Sequence, residues 1–356
     1  MPKLLNMIAS HFQIHPTEIV VDKIRHGNME KQNVHCLNIR TKRYLLKQYE
    51  ITEPVTAAGF TPFQIEKFTL STLYKAGCLV PNVIWHSEEN NAILLEWRGE
   101  HTLDSLAQQS LASSIQSELN TIINVLCKIE TVFSENCDLF IPYLFHFNIK
   151  ETLQGLLDRG RKTVGYLRQL CKTPLTSSQI ECLEASWTSL SNRLLEAPLT
   201  LDSLDYQAHN IVIDTGLPYF IDFASIGWDW QERRLVQYFN SIGAYQYGAN
   251  FVSLLNRDLV ETYAEWVVQH REHCSVSDVA ARVDGHHLLF YLSVTYRILE
   301  ATARTEVKEN QVLIEAWGDL HSRYQRAISL IINTELSDDI ETNHIRKMIR
   351  DFHFNK

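Results

Sequence analysis

SLDYQAHNIVIDTGLPYFIDF, residues 203–223, decides how this 356-residue chain is read. Asp205 and Asn210 stand on a loop with four residues between them. Residues 211–213 (IVI) follow at once as a short strand, and 219–222 (YFID) form a second one around DTGLP. That linker supplies the Asp, Gly and Pro of a tight turn. A loop followed by a hairpin brings Asp205, Asn210 and Asp222 to one edge of a cleft. Asp-x4-Asn alone carries almost nothing, because a chain of this length matches it by chance. Joined to strand, turn, strand and a closing Asp222-Phe223, the pattern is far rarer. Each residue also has an ordinary use: Asp205 capping a turn, Asn210 making a loop bond, Asp222 ending a strand.

Upstream, residues 18–24, 34–40 and 43–49 mix β-branched and aromatic residues with polar ones, as half-buried strands do. Residues 62–76 place apolar side chains at 65, 68, 70 and 73, opened by Pro62 and closed by Gly77, which predicts a helix. Two more apolar runs, 83–86 and 92–97, flank the turn-like SEENN. From about 101 to 197, and again after about 231, the pattern is helical. The expected fold class is α+β with two lobes. A small antiparallel sheet with one helix (1–97) precedes a larger, mainly helical lobe (98–356) with the hairpin embedded in it.

Lys47 closes the strand RYLLK, and Glu66 follows 19 residues later on the predicted helix. A strand lysine is usually part of a solvated face. A helix-borne carboxylate can instead pair with it and hold its ammonium toward nucleotide phosphates. Phosphoryl transfer asks the protein mostly for positioning and charge neutralisation. One carboxylate orients the attacking hydroxyl and takes its proton. A second carboxylate and an amide oxygen hold Mg²⁺, a hard ion that prefers oxygen ligands. Lys, Glu, hinge, Asp-x4-Asn and Asp-Phe fall in that order.

With these residues in place, the sequence resembles the aminoglycoside phosphotransferase family, the small-molecule branch of the protein-kinase-like fold. RYLLK (43–47) looks like its nucleotide-lysine strand, and PFQIEKFTLSTLYKAGCLVPNV (62–83) like its helix with the partner glutamate. AILLEWRGE (92–100) is similar to its hinge, LDYQAHNIVI (204–213) to its catalytic loop and FIDFASIG (220–227) to its second metal-binding segment. The resemblance covers about 20–240. It implies transfer of the γ-phosphoryl group of ATP, with Mg²⁺, to a hydroxyl of a small-molecule acceptor. Asp205 is implied as base, Asn210 and Asp222 as metal ligands, Lys47 and Glu66 as phosphate-holding residues, and Glu96, Trp97 and Arg98 as adenine contacts through the backbone. The family's His-Gly-Asp is here Ser203-Leu204-Asp205, its loop His and Gly are Gln207 and His209, and the covering loop 24–35 has the single glycine Gly27. The Ser203 and Gln207 departures suggest a competing reading, a nucleotide-binding pseudokinase with a regulatory or scaffold role. A protein kinase fits less well, because the stretch from Asp222 to the helix near 231 is short and no A-P-E follows.

The remaining signals are weaker. Trp228, Asp229, Trp230 and Glu232 form an acidic-aromatic cluster suited to a cationic amine acceptor, or else a packed tryptophan pair with solvated acids. His286 and His287, after Gly285, are read at a helix start and chiefly as structural residues. A net charge of −9 gives no footprint for nucleic acid. The seven scattered cysteines make neither a metal site nor a disulfide framework and read as buried free thiols. No signal peptide or membrane span is evident, so a cytoplasmic protein is expected. The basic tail 344–356 reads as the last helix of the domain.

Overall fold

The computed structural model describes residues 1–26, 29–109, 115–145, 148–171, 175–270 and 274–354. Gly27 of the covering loop and the side chain of Cys171 lie outside the described residues. The smaller lobe holds α1 (Pro2–Phe12), β1 (Ile19–His26), β2 (Met29–Ile39), β3 (Lys42–Gln48), α2 (Pro62–Lys75), β4 (Val83–Ser87) and β5 (Ala92–Glu96). Its sheet is antiparallel in the order β1-β2-β3-β5-β4. Period-two alternation sorts the strand side chains. Leu46, Ala92 and Leu94 pack toward Leu4, Ile8 and Ala9 of α1, while Leu45, Lys47 and Leu95 face a cleft. The sequence reading placed these strands and α2 to within a few residues, except that β2 begins earlier, and it did not identify α1.

The larger lobe begins with β6 (His101–Thr102), α3 (Leu103–Gln108), α4 (Gln116–Glu135), α5 (Cys137–Phe140), α6 (Ile149–Cys171) and α7 (Ser177–Glu196). Next come β7 (Thr200–Ser203), β8 (Ile211–Asp214), β9 (Leu217–Phe220), β10 (Ile226–Asp229) and α8 (Gln231–Tyr238). The chain ends with α9 (Arg257–His270), α10 (Val276–Ala303), α11 (Lys308–Trp317), α12 (Leu320–Asn333) and α13 (Ile340–Phe354). The β8–β9 hairpin turns on Thr215 and Gly216, both with positive φ (50° and 81°), the backbone of a tight hairpin turn. Strand β9 stops at Phe220, so Asp222 lies beyond the strand that was expected to end on it.

Helix α10 is the axis of the larger lobe, and from Val279 to Thr295 it is buried on every side. Gly285 therefore sits inside this helix, not at its start. A Cβ there would come within 2.6 Å of Leu190 on α7, so the bare backbone lets the two helices approach. His286 and His287 are buried beside it. The final helix α13 packs Ile345, Met348, Ile349 and Phe352 into the core, and Arg346 pairs with Asp284 of α10. Among the described residues no helix is long and apolar enough to cross a membrane. The described cysteines are free, but only Cys36, Cys78 and Cys127 are buried, and Cys182 is exposed.

An aromatic contact joins the lobes. Tyr143 stacks on Phe60 and on Phe68 of α2, with centroids 4.2 and 4.0 Å away. The following residues bridge Thr56 to Phe145 and Leu144 to Ile226 of β10.

The Arg346–Asp284 pair sets a stability test. Both side chains are almost wholly buried, and Asp284 also accepts hydrogen bonds from Leu336 N and Ser337 Oγ. Removing one partner strands the other charge, so Arg346→Met should cost about 3–5 kcal/mol in denaturant unfolding. The double variant Asp284→Asn, Arg346→Met should recover part of that loss.

Candidate active site

Lys47 is the meeting point of the two lobes. Its Nζ lies 2.6 Å from Glu66 Oε2 and 2.7 Å from Asp222 Oδ1. The strand pleat aims Lys47 into the cleft, and Glu66 is on the buried face of α2. That helix is fixed in turn by Pro62 at its first turn and by a capping box between Thr61 and Gln64. Tyr49 Oη donates to the same Glu66 oxygen. Burial favours a neutral Lys47, but the charges of Asp222 and Glu66 outweigh it and raise its pKa. Burial raises the Glu66 carboxyl, against the pull of Lys47.

Asp222 holds φ = 66°, a left-handed backbone that a short polar side chain tolerates better than most. This turn after β9 swings its carboxylate back toward Lys47. Ile221 N donates to Asn210 O at 2.9 Å, which locks the segment to the loop before β8. Asn210 Nδ2 donates to the main-chain oxygen of Asp205 at 2.7 Å, so its amide oxygen is the atom left to bind a ligand. Asp205 is half-buried and accepts from Gln207 Nε2 at 2.6 Å. Asn210, Asp222, Lys47 and Glu66 line one cleft of about 480 Å³ with His209.

The loop that carries Asp205 is braced by a residue the sequence reading passed over. Arg234 of α8 is fully buried and gives its guanidinium to main-chain oxygens. It donates to Ser203 O (3.1 Å), Thr200 O (2.8 Å) and Gly227 O (3.0 Å), and also to Thr200 Oγ1 (2.6 Å). Ser203 stands where the resemblance leads one to expect a histidine, and its Oγ accepts from Asp205 N at 3.2 Å. The support expected from that histidine is thus supplied by an arginine from the following helix.

The expected hinge residues behave differently from one another. Glu96, Trp97 and Arg98 all line the cleft. Arg98 pairs with Glu96 and lies over Tyr219, 4.1 Å from its ring centroid, while Arg43 covers Trp97 at 4.4 Å. Of the expected acceptor residues, only Trp228 is exposed. The Asp229 carboxylate is buried and bonded to Arg233 and to Tyr206 Oη, and Glu232 is buried against Arg282 Nε at 2.8 Å. Trp230 is buried with its ring 5.7 Å from His286. Both acids of this segment are buried and paired with arginines rather than solvated, although Glu232 Oε2 has no partner.

Asp202, one residue before Ser203, has a carboxyl pushed up to about 6 by burial, which the Arg234 charge and the Ser203 N–H only partly offset. Its Oδ1 accepts from Ser203 N at 2.5 Å, and its Oδ2 is buried with no partner. A folded pKa above the ordinary value of 3.8 favours the protonated form, so stability should fall as pH rises from about 4 through about 6. Asp202→Asn should lack that component and gain about 2–3 kcal/mol on the wild type between pH 4 and pH 7 in denaturant unfolding. Parallel pH profiles of the two proteins would show that Asp202 ionises freely.

No protein-family model and no curated protein sequence matches the chain. Solved structures do. A choline/ethanolamine kinase family protein from Mesorhizobium loti is 12% identical, with 98% of each chain covered and a TM-score of 0.50. A choline kinase from Cryptosporidium parvum is 12% identical over 92% of this chain and 94% of its own, also with a TM-score of 0.50. The GDP complex of aminoglycoside 2′-phosphotransferase-IIIa is 12% identical over 92% and 99%, with the same TM-score. The chain therefore has the two-lobed kinase-like fold that choline/ethanolamine kinases share with aminoglycoside phosphotransferases.

Proposed function

We propose that this protein is an ATP- and Mg²⁺-dependent phosphotransferase acting on a hydroxyl of a small molecule. The observation that carries the reading is the Lys47–Glu66–Asp222 arrangement, with Asn210 and Asp205 on the adjoining loop. It sits on a fold whose solved members include choline and aminoglycoside kinases, one of them with GDP bound. The residues present suit magnesium: Asp222 and the amide oxygen of Asn210 are hard donors on one cleft, and this ion commonly takes one or two protein oxygens beside phosphate and water. Among the described residues no cluster of three His, Cys, Asp or Glu side chains forms a separate metal site.

In this reading the lobe formed by residues 1–97 supplies the nucleotide's upper wall, and the backbone at Glu96–Arg98 faces the base. Lys47, held by Glu66, neutralises phosphate charge. Bound magnesium supplies charge neutralisation and fixes the phosphates. Asp205 orients the acceptor hydroxyl and accepts its proton as the oxygen bonds to the γ-phosphorus and the bond from that phosphorus to the β–γ bridging oxygen breaks, releasing ADP. Arg234 and Ser203 hold the loop so that Asp205 meets the acceptor in one geometry. Against the pseudokinase alternative speaks the bracing by Arg234 of the loop that lacks the expected histidine.

Asp205→Ala should lower turnover by about 10²- to 10⁴-fold, the usual worth of a general base, with nucleotide affinity retained. ADP release on an acceptor panel and equilibrium nucleotide binding measure the two separately. Full turnover in the variant would remove Asp205 from the mechanism. Tight MgATP binding by the wild type with no acceptor turned over would favour the pseudokinase.

A further inference from the structure

The surface beside the catalytic loop is cationic. Arg233 Nη1 donates to Tyr206 Oη at 2.5 Å, one residue from Asp205. Arg159 on α6 lies close enough to Arg233 and Arg297 for both charges to act on it, and burial followed by these charges lowers its pKa. Helix geometry gathers the rest of the group: Arg159 and Lys162 are i and i+3 on α6, and Ser293, Tyr296 and Arg297 are i, i+3 and i+4 on α10. Arg159 Nε donates to Ser293 Oγ at 2.7 Å, and Lys162 Nζ lies 5.7 Å from the Tyr296 ring centroid.

Acids offset this group only in part. The charge of Asp158 acts on Arg159 less strongly than those of Arg297 and Arg233, Asp229 is spent on Arg233 and Tyr206, and Glu300 accepts from Tyr296 Oη at 2.9 Å. Among the described residues, no carboxylate forms an ion pair with Arg159 or Arg297. On the inner side, Arg233 Nε and both ring nitrogens of His286 are buried without partners, so hydrogen-bonding capacity remains for a polar guest. His286 is kept neutral first by burial and then by the charges of Arg233 and Arg282. Holding Arg159 and Arg297 together with so little counter-charge is unfavourable unless something anionic completes the set.

We propose that this face, between α6, α8 and α10, binds the acceptor, and that the acceptor is an alcohol bearing an anionic group, a carboxylate or a phosphate. Arg159, Arg297 and Lys162 hold the anion while its hydroxyl is presented to Asp205. The proposal rests on the phosphotransferase reading and narrows it, reversing the cationic acceptor that Asp229 and Glu232 suggested in the sequence.

The test is calorimetric binding of glycerate, glycerol 3-phosphate, choline and ethanolamine to the protein saturated with Mg²⁺ and AMP-PNP. Glycerate or glycerol 3-phosphate should bind at least tenfold more tightly than choline and ethanolamine. Arg297→Gln, an exposed position whose change leaves the fold intact, should weaken the anionic alcohols at least tenfold and leave AMP-PNP affinity as it was. Arg159→Gln should act in the same direction. Preference for choline or ethanolamine, no binding of either anionic alcohol, or undiminished anion binding by Arg297→Gln would overturn the proposal. Failure of the wild type to bind Mg²⁺ and AMP-PNP would instead overturn the phosphotransferase reading, and this proposal with it.

Discussion

One buried ammonium group organises the molecule. Lys47 Nζ sits between Glu66 of the smaller lobe and Asp222 of the larger one, and only part of its side chain meets solvent. A cation largely removed from water is stabilised by counter-charge at close range, so Lys47 holds the two carboxylates as they hold it. Because they belong to different lobes, the same pairing sets the width of the cleft. The left-handed turn at Asp222, the capped start of α2 and the stacking of Tyr143 on Phe60 and Phe68 all converge on this contact.

The loop below the cleft follows a different logic. Charge is not what fixes it; main-chain oxygens are, all turned toward the buried guanidinium of Arg234. Planar, forked donors suit this use, since one side chain satisfies several carbonyls of β7 and β10 together. Where related chains are expected to place a histidine before the loop aspartate, Ser203 is small enough to leave room for that arginine and to accept from Asp205 N. Next to it, Arg233 faces the other way, onto Asp229 and Tyr206. Two consecutive arginines thus split their work between holding the loop carbonyls and holding the Asp229 carboxylate with Tyr206.

Much of this was legible in the sequence, because strand alternation and helix caps are local. RYLLK, the helix after Pro62 and the IVI–turn–YFID hairpin follow from period and turn residues alone, and the Lys47–Glu66 spacing follows from them. What escaped was non-local. Arg234 looks like half of a solvated Arg-Arg pair until the fold closes carbonyls around it. Asp229 and Glu232 looked free because Arg282 is fifty residues from Glu232, although Asp229 and Arg233 at i, i+4 were a signal that could have been used. Gly285 looked like a helix boundary, whereas Leu190 of another helix is what requires it. Asp222 looked like a strand end because its backbone turn leaves no mark in composition.

Lys47, Asn210 and Asp222 are proposed to hold nucleotide phosphate and magnesium together. The most direct measurement is the affinity for ATP with and without Mg²⁺, in the wild type and in Asp222→Ala. Magnesium should tighten ATP binding to the wild type by at least tenfold and should leave the variant's affinity almost unchanged. ATP binding that is absent, or that responds to magnesium equally in both proteins, would contradict the claim.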